Sequence, residues 1–351
     1  MRRILLSCAA SLLLYTVAFG CLLDRPLTLG ALRARLDANL AAGATVDEPK
    51  LVILAGSNGP YSHRCTVIGP LINRPCVNAG VAVGVGLDYL FLRWEALLYP
   101  GDVVYLPLEE AQYVRERAAV ALGPDAAIML RHDRTSLLQM PLDRQVAALF
   151  SSDLRAAIMS VLETALVNTG FHDPRAEAIG STNLWGDHIG HTLALAAGNA
   201  SALKVETPFH PTAAQIEHGY GSVEVGAFLR WAAAHQVQVI GGLPTGFADS
   251  PISDASLAAI RALYHDGGVG FLLLPNHSRY PRADFFDSPD HLNEPAQIRH
   301  SWAVALALRQ MIAPTMALPR GQPAPPGQPA PPGPKVRLVT SDADRSPPAP
   351  R

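Results

Sequence analysis

The chain lacks the cysteine and basic-residue patterns that mark several common classes of protein. Only 4 of its 351 residues are cysteine, with no Cys-x-x-Cys pair and no cysteine–histidine set at metal-ligand spacing. Its 28 lysines and arginines are balanced by 30 aspartates and glutamates, which gives a formal net charge of −2. Nucleic-acid-binding surfaces are typically basic, so this balance argues against nucleic acid as a partner. No metal ion or other cofactor is predicted.

A dinucleotide-binding loop is also missing. The glycines between residues 80 and 86 do not follow the spacing Gly-x-Gly-x-x-Gly, and the acidic residue that should follow is absent. His188 and His191 lie beside Asp187, but a metal site needs three or four converging ligands and no clear fourth is present. We therefore expect these three residues to form a structural cluster with satisfied partners.

The N-terminus carries a long apolar run. Two arginines precede residues 4–23, a stretch of about twenty residues without a charge, which is long enough to span a bilayer. Leading arginines favour a cytoplasmic N-terminus. We predict an uncleaved membrane anchor in residues 1–26 rather than a cleaved signal peptide. A lipid anchor on Cys21 is a third interpretation, since residues 18–21 are loosely similar to a lipobox. The rest of the chain is then expected in the periplasm or outside the cell.

Cys65 and Cys76 lie in the predicted exported part of the chain. An oxidising compartment permits a disulfide between them, while two buried free thiols are the other interpretation. The spacing does not decide between the two.

Alternating strand and helix patterns predict the fold class. Apolar, partly β-branched runs indicate strands at 51–55, 76–78, 103–108, 237–240 and 270–275. Helical patterns occupy 27–42, 87–98, 153–166, 211–235, 253–264 and 294–311. This order predicts an α/β, flavodoxin-like, doubly wound domain over residues 27–316, with a mainly five-stranded parallel sheet. A helical insertion is predicted at about 110–205. The proline-rich residues 317–351 contain a repeated hexapeptide and are predicted to be a disordered spacer.

Two polar motifs fall where the predicted sheet should bind a ligand. Ser57 follows the first strand within Gly56-Ser57-Asn58-Gly59, and Asp287 and His291 follow the last strand. Open α/β sheets bind ligands at the carboxyl ends of their strands. A serine nucleophile needs a base to take its proton, and that base needs a carboxylate to orient it. The pattern predicts a triad of Ser57, His291 and Asp287.

These motifs resemble, in order, those of the SGNH/GDSL hydrolase superfamily. Gly56-Ser57-Asn58 is similar to the nucleophile block, residues 77–80 to the glycine block, and residues 287–293 to the terminal block. The resemblance covers roughly residues 50–115 and 235–312. It implies an SGNH-like fold and an oxyanion hole that includes the Gly80 N–H. Within the superfamily, the chain most resembles a branch of membrane-anchored, extracytoplasmic proteins linked to surface-glycan and teichoic-acid acylation.

The chain departs from that family at two places. The block after the third strand usually supplies an asparagine, but residues 106–110 read Leu-Pro-Leu-Glu-Glu. Asn183 is the candidate replacement as oxyanion donor, with an ordinary turn as its other interpretation. The terminal aspartate lies four residues before His291 rather than three. Asp287 is preferred to Asp290, because adjacent side chains in an extended segment point to opposite faces.

The combined expectation is an extracytoplasmic serine esterase or O-acyltransferase, with O-acetyl as the favoured group, that acts on a cell-envelope polysaccharide. The predicted partners are an acylated glycan or small acyl ester, a membrane-bound acyltransferase and the membrane itself. The alternative is an inactive member of the fold that binds or scaffolds within an envelope glycan complex. Arg279 and Arg282 precede the terminal block. They are expected in a solvated loop, with contact to an anionic substrate as the other interpretation.

Overall fold

The computed structural model describes residues 2–22, 28–151, 165–170 and 180–312, together with positions 158, 162 and 163. Within these residues, no helix combines the length and the apolar character that a membrane crossing requires. The anchor in residues 1–26 stays a prediction. The proline-rich segment 317–351 lies outside the described residues, as does most of the helix predicted at 153–166.

Strands and helices alternate along the chain. The strands of the described residues are β1 (Leu51–Ile53), β2 (Cys76–Asn78), β3 (Val103–Leu106), β4 (Gln238–Gly242), β5 (Gly246–Phe247), β6 (Gly270–Leu272) and β7 (Arg279–Tyr280). The helices are α1 (Arg2–Leu22), α2 (Thr28–Ala44), α3 (Asn58–Ser62), α4 (Cys65–Ile72), α5 (Leu87–Glu95), α6 (Glu110–Val114), α7 (Arg117–Ala121), α8 (Pro124–His132), α9 (Arg134–Gln139), α10 (Leu142–Ala148), α11 (Leu193–Val205), α12 (Ala213–His218), α13 (Tyr220–Ala234), α14 (Asp254–Asp266) and α15 (Glu294–Met311).

Five strands form one parallel sheet in the order β2-β1-β3-β4-β6. This confirms the predicted doubly wound α/β fold with a five-stranded parallel sheet. At their carboxyl ends, β1 and β3 are two residues shorter than predicted and β6 is three residues shorter, whereas β2 matches and β4 runs two residues further. Polar loops begin where the strands stop, and these loops build the candidate site.

The sheet is apolar on both faces because helices cover both. Val52 points to the side of α5, α13 and α14, whereas Leu51 and Ile53 point to the side of α4 and α15. This is the alternation that a pleated strand imposes on successive side chains. Burial on both faces explains why β1 reads as a continuous hydrophobic run in the sequence.

Two features of the fold differ from the sequence prediction. The helix predicted over 211–235 is two helices, α12 and α13, because Gly219 is extended (φ −68°, ψ 142°) between them. A Cβ at Gly219 would lie 2.1 Å from the Tyr113 carbonyl oxygen, so the close approach requires glycine. The second feature is the small parallel pair β5–β7, which the sequence did not predict. It anchors the segment that leads to Asp287 and His291.

Cys65 and Cys76 form a disulfide, with 5.1 Å between their Cα atoms. The bond joins the first residue of α4 to the first residue of β2. It decides the alternative that the sequence left open in favour of the disulfide.

A fully buried histidine pair lies between α3 and α15. The Nε2 atoms of His63 and His300 are 3.3 Å apart, and His300 Nδ1 is 2.8 Å from the Tyr280 hydroxyl. Burial lowers the pKa of His63 to about 4, and burial together with the His63 charge holds the pKa of His300 well below its usual range. The folded protein therefore favours neutral rings at this site.

Acid should destabilise the protein through this pair. Because the pKa of His63 is lower when folded (about 4) than when unfolded (about 6.5), the unfolded state takes up more protons as the pH falls between these values. We expect His63 alone to account for a loss of about 2–3 kcal/mol in the free energy of unfolding between pH 7.5 and 4.5. Denaturant unfolding of wild type and His63→Gln at both pH values measures this, with His265→Gln at an exposed position as control. An equal pH dependence in wild type and His63→Gln would contradict it.

Candidate active site

Ser57 lies at the carboxyl edge of the sheet, on the turn between β1 and α3. It is the N-cap residue of α3 (φ −68°, ψ −22°), but its side chain makes no capping hydrogen bond. Among the described residues, neither its N–H nor its hydroxyl has a hydrogen-bond partner. The side chain is only partly buried. The Ser57 N–H and hydroxyl are therefore available to a bound molecule.

Glu109 holds the backbone on both sides of Ser57. Its Oε2 accepts the Gly56 N–H at 2.8 Å, and its Oε1 accepts the Asn58 N–H at 2.7 Å. A Cβ at Gly56 would lie 2.6 Å from both carboxylate oxygens, so this contact requires glycine. Burial raises the pKa of Glu109, although these two N–H groups and the nearby His291 oppose the shift. A buried carboxylate thus occupies the strand end where the family pattern places an asparagine.

Asn58 ties the turn to two neighbouring strand ends. Its Nδ2 donates to the Pro107 carbonyl at 3.0 Å, and its Oδ1 accepts the Thr245 hydroxyl at 2.9 Å and the Thr245 N–H at 3.2 Å. Pro107 follows β3 and Thr245 follows β4. Because the side chain is fully buried and both ends of its amide are bonded, Asn58 fixes the turn that presents Ser57.

Asp287 and His291 face each other across a tight loop. Asp287 Oδ1 lies 2.6 Å from His291 Nδ1. Backbone bonds close the loop, with the Phe286 N–H 2.7 Å from the His291 carbonyl. Asp290 is used differently, since its carbonyl oxygen accepts the Ser62 hydroxyl at 2.9 Å. The structure thus places Asp287, the residue preferred from the sequence, against the imidazole.

The Asp290 side chain is a further carboxyl group at this end of the site. Burial raises its pKa well above the ordinary value, and the neighbouring charges of Glu109 and Glu110 act in the same direction. Arg279 opposes the shift. Burial thus raises the pKa of both carboxyls at this end of the site, and the protonated form of Asp290 is favoured.

Tyr61 brings His291 to the helix that begins after Ser57. The rings of Tyr61 and His291 stack with centroids 3.9 Å apart and an angle of 11° between their planes. The Tyr61 N–H donates to the Ser57 carbonyl at 3.3 Å, within one helical turn. The serine and the histidine therefore lie at the same edge of the sheet, although more than two hundred residues separate them in sequence.

The sequence predicted a cluster of His188, His191 and Asp187 with satisfied hydrogen bonds, and the structure does not show it. Asp187 turns toward α4, where its Oδ1 accepts the Cys65 N–H at 2.8 Å. The His188 ring stacks on Tyr61 instead. Both ring nitrogens of His191 and Nδ1 of His188 are buried without a hydrogen-bond partner among the described residues. Burial lowers the pKa of His188 to about 3 and that of His191 to about 4. No set of three or more His, Cys, Asp or Glu side chains suits a metal ion within the described ranges.

The two predicted oxyanion donors have partners of their own. The Gly80 N–H points to Asn78 Oδ1 at 3.4 Å, which is long for a hydrogen bond. Gly80 also packs against the Ser57 turn, since a Cβ there would lie 2.6 Å from the Gly56 carbonyl oxygen. Asn183 donates to Asp187 at 2.9 Å and accepts the Trp185 and Asp187 N–H groups. Both ends of the Asn183 amide are used within its own loop, which fits the ordinary turn and gives its role as a donor no support.

Arg279 and Arg282 both pair with carboxylates, and Arg279 does so inside the protein rather than in a solvated loop. Arg279 is buried and contacts Glu110 Oε1 at 2.9 Å and the Pro244 carbonyl at 3.2 Å. Arg282 contacts Asp249 Oδ2 at 2.7 Å. These contacts attach β7 and the turn after it to the rest of the domain, so the expectation of a solvated loop is wrong for Arg279.

Sequence reasoning did not identify Glu109 or Tyr61 as parts of the site. Glu109 lies at the end of the third strand, where the resemblance led us to expect an asparagine. An acidic residue directly after an apolar strand was the signal that could have identified it. Tyr61 lies four residues after Ser57, the spacing of one helical turn. Comparison with protein-family models and with the curated proteins gives no match to this chain.

Proposed function

We propose that the protein is a serine esterase or O-acyltransferase with Ser57 as nucleophile, His291 as base and Asp287 as the group that orients the base. The observation that carries this proposal is the Asp287–His291 pair. The His291 ring stacks on Tyr61, which belongs to the helix that begins directly after Ser57. The resemblance to SGNH hydrolases supplies the compartment and the substrate class. We infer an extracytoplasmic protein that acts on an acylated envelope polysaccharide or a small acyl ester, with a membrane-bound acyltransferase as a candidate partner.

The chemistry follows from the side chains. The Ser57 hydroxyl attacks the ester carbonyl while its proton passes to Nε2 of His291, and Asp287 at Nδ1 stabilises the imidazolium. The Ser57 N–H is the nearest available donor for the oxyanion. When the tetrahedral intermediate collapses, His291 returns the proton to the departing alkoxide and an acyl-Ser57 remains. Water or a sugar hydroxyl then attacks this ester, so the acceptor decides between hydrolysis and transfer.

A fluorophosphonate probe tests the nucleophile directly. We expect wild-type protein to be labelled at one serine and Ser57→Ala to lose at least about 99% of that labelling, because the phosphonylated oxygen is gone. Mass spectrometry of the labelled peptide identifies the site.

Ser288→Ala is the matched control, since Ser288 lies in the loop between Asp287 and His291 and its hydroxyl makes no hydrogen bond among the described residues. It should label like wild type. Ser57→Ala that labels as well as wild type would overturn the proposed mechanism.

Glu109 favours one second candidate, a binding or scaffolding protein that kept the fold without the chemistry. The Glu109 carboxyl group accepts the N–H groups on either side of Ser57, so these two groups are not available to stabilise a negative oxygen. This candidate predicts that wild-type protein neither reacts with the probe nor hydrolyses chromogenic acyl esters, yet retains an envelope glycan in a pull-down. Labelling at Ser57 decides against it.

A further inference from the structure

We propose that Tyr61 is a positioning residue that holds the His291 imidazole by ring stacking. The proposal rests on the proposed function for its catalytic meaning. The stacking itself can be tested whether or not the protein is an enzyme.

Tyr61 lies between two imidazoles. His291 stacks on it at 3.9 Å with an angle of 11°, and His188 stacks on it at 4.1 Å with an angle of 27°. Two nearly parallel rings cannot both lie about 4 Å above the centre of the same ring face, so they occupy opposite faces. Tyr61 is thus held from one side while it presents the other side to His291.

The stack connects the nucleophile and the base through a short path. Tyr61 belongs to the helical turn that begins at Ser57, and its N–H bonds the Ser57 carbonyl. His291 lies on a loop whose other side-chain contact, Asp287, is 39% exposed. An exposed pair gives a loop limited restraint. The ring contact therefore adds a restraint that connects the imidazole to the turn that carries the serine.

The experiment compares Tyr61→Leu with Tyr61→Phe, which keeps the ring. We expect Tyr61→Leu to lower the rate constant for fluorophosphonate labelling by about tenfold or more, because a misplaced base reacts poorly. Tyr61→Phe should match wild type in this rate constant. In NMR spectra of wild type, the His291 ring protons, assigned by their loss in His291→Gln, should be shifted upfield by the Tyr61 ring.

Each result decides the proposal. Labelling of Tyr61→Leu at the wild-type rate overturns it, and so does a Tyr61→Phe variant that is as impaired as Tyr61→Leu. If Tyr61→Leu does not fold, the wild-type ring-proton shifts decide, and unshifted His291 protons overturn the stack. If wild type does not label at all, the proposed function fails, and the NMR measurements still test the contact.

Discussion

Replacing Lys50 by methionine is expected to lower the free energy of unfolding by about 3–5 kcal/mol, because it strands a buried carboxylate. Lys50 Nζ lies 2.8 Å from Asp102 Oδ2, and both side chains are almost fully buried. Asp102 also accepts the backbone N–H groups of Lys50 and Tyr99 at 2.9 Å each. These bonds leave the carboxylate satisfied only while the ammonium group is present, since two N–H groups do not neutralise its charge.

The chain contains a matched control for this prediction. Arg117 and Asp143 form an ion pair at 2.8 Å with both side chains more than half exposed. Exposed pairs contribute about 0–1 kcal/mol, so Arg117→Met should change stability by less than about 1 kcal/mol. Denaturant unfolding at pH 7 of the two variants measures the difference. A Lys50→Met variant as stable as Arg117→Met would contradict the prediction.

The largest effect on reactivity is expected from His291→Gln. It should lower the rate constant for labelling of Ser57 by about 10³-fold or more, since the serine then loses its base. Asp287→Asn should reduce the same rate by about 10²- to 10⁴-fold, because an amide does not stabilise the imidazolium and favours the wrong tautomer. Labelling rates measured from pH 6 to 9 give both values.

Asp290→Asn separates the two carboxylates that sequence reasoning had to choose between. The ordered partner of His291 Nδ1 is Asp287 at 2.6 Å, whereas Asp290 is held through its backbone carbonyl. The effect of Asp290→Asn should therefore be at least about tenfold smaller than that of Asp287→Asn. A larger loss in Asp290→Asn would transfer the orienting role to Asp290.

The parallel sheet was predictable from the sequence because each buried strand is a contiguous apolar run. Once the strands are parallel, the residues that follow them meet at one edge, and this brings Ser57, Asp287 and His291 together. The apolar pattern of the sequence does not predict which loops contact each other. Glu109 looked like a departure from a motif, and its bonds to Gly56 and Asn58 become visible only when β1 and β3 lie side by side.

Tyr61 and Gly219 were missed for related reasons. An aromatic residue at helical spacing fits a core position as well as a stacking surface, and only the position of the distant His291 distinguishes the two. The break at Gly219 depends on the Tyr113 carbonyl, a contact between segments about a hundred residues apart. Local patterns predict the elements, whereas contacts between distant segments decide where a helix stops and what a ring touches.

The Cys65–Cys76 bond affects how the protein should be produced. It encloses α4, with 11 residues of sequence separation, and closing a loop of this size stabilises a fold by about 3 kcal/mol through the entropy of the unfolded chain. Expression in a reducing bacterial cytosol forgoes that contribution. Protein made there would be less stable around α4. A secretory host or oxidative refolding is therefore the better source for every assay described above.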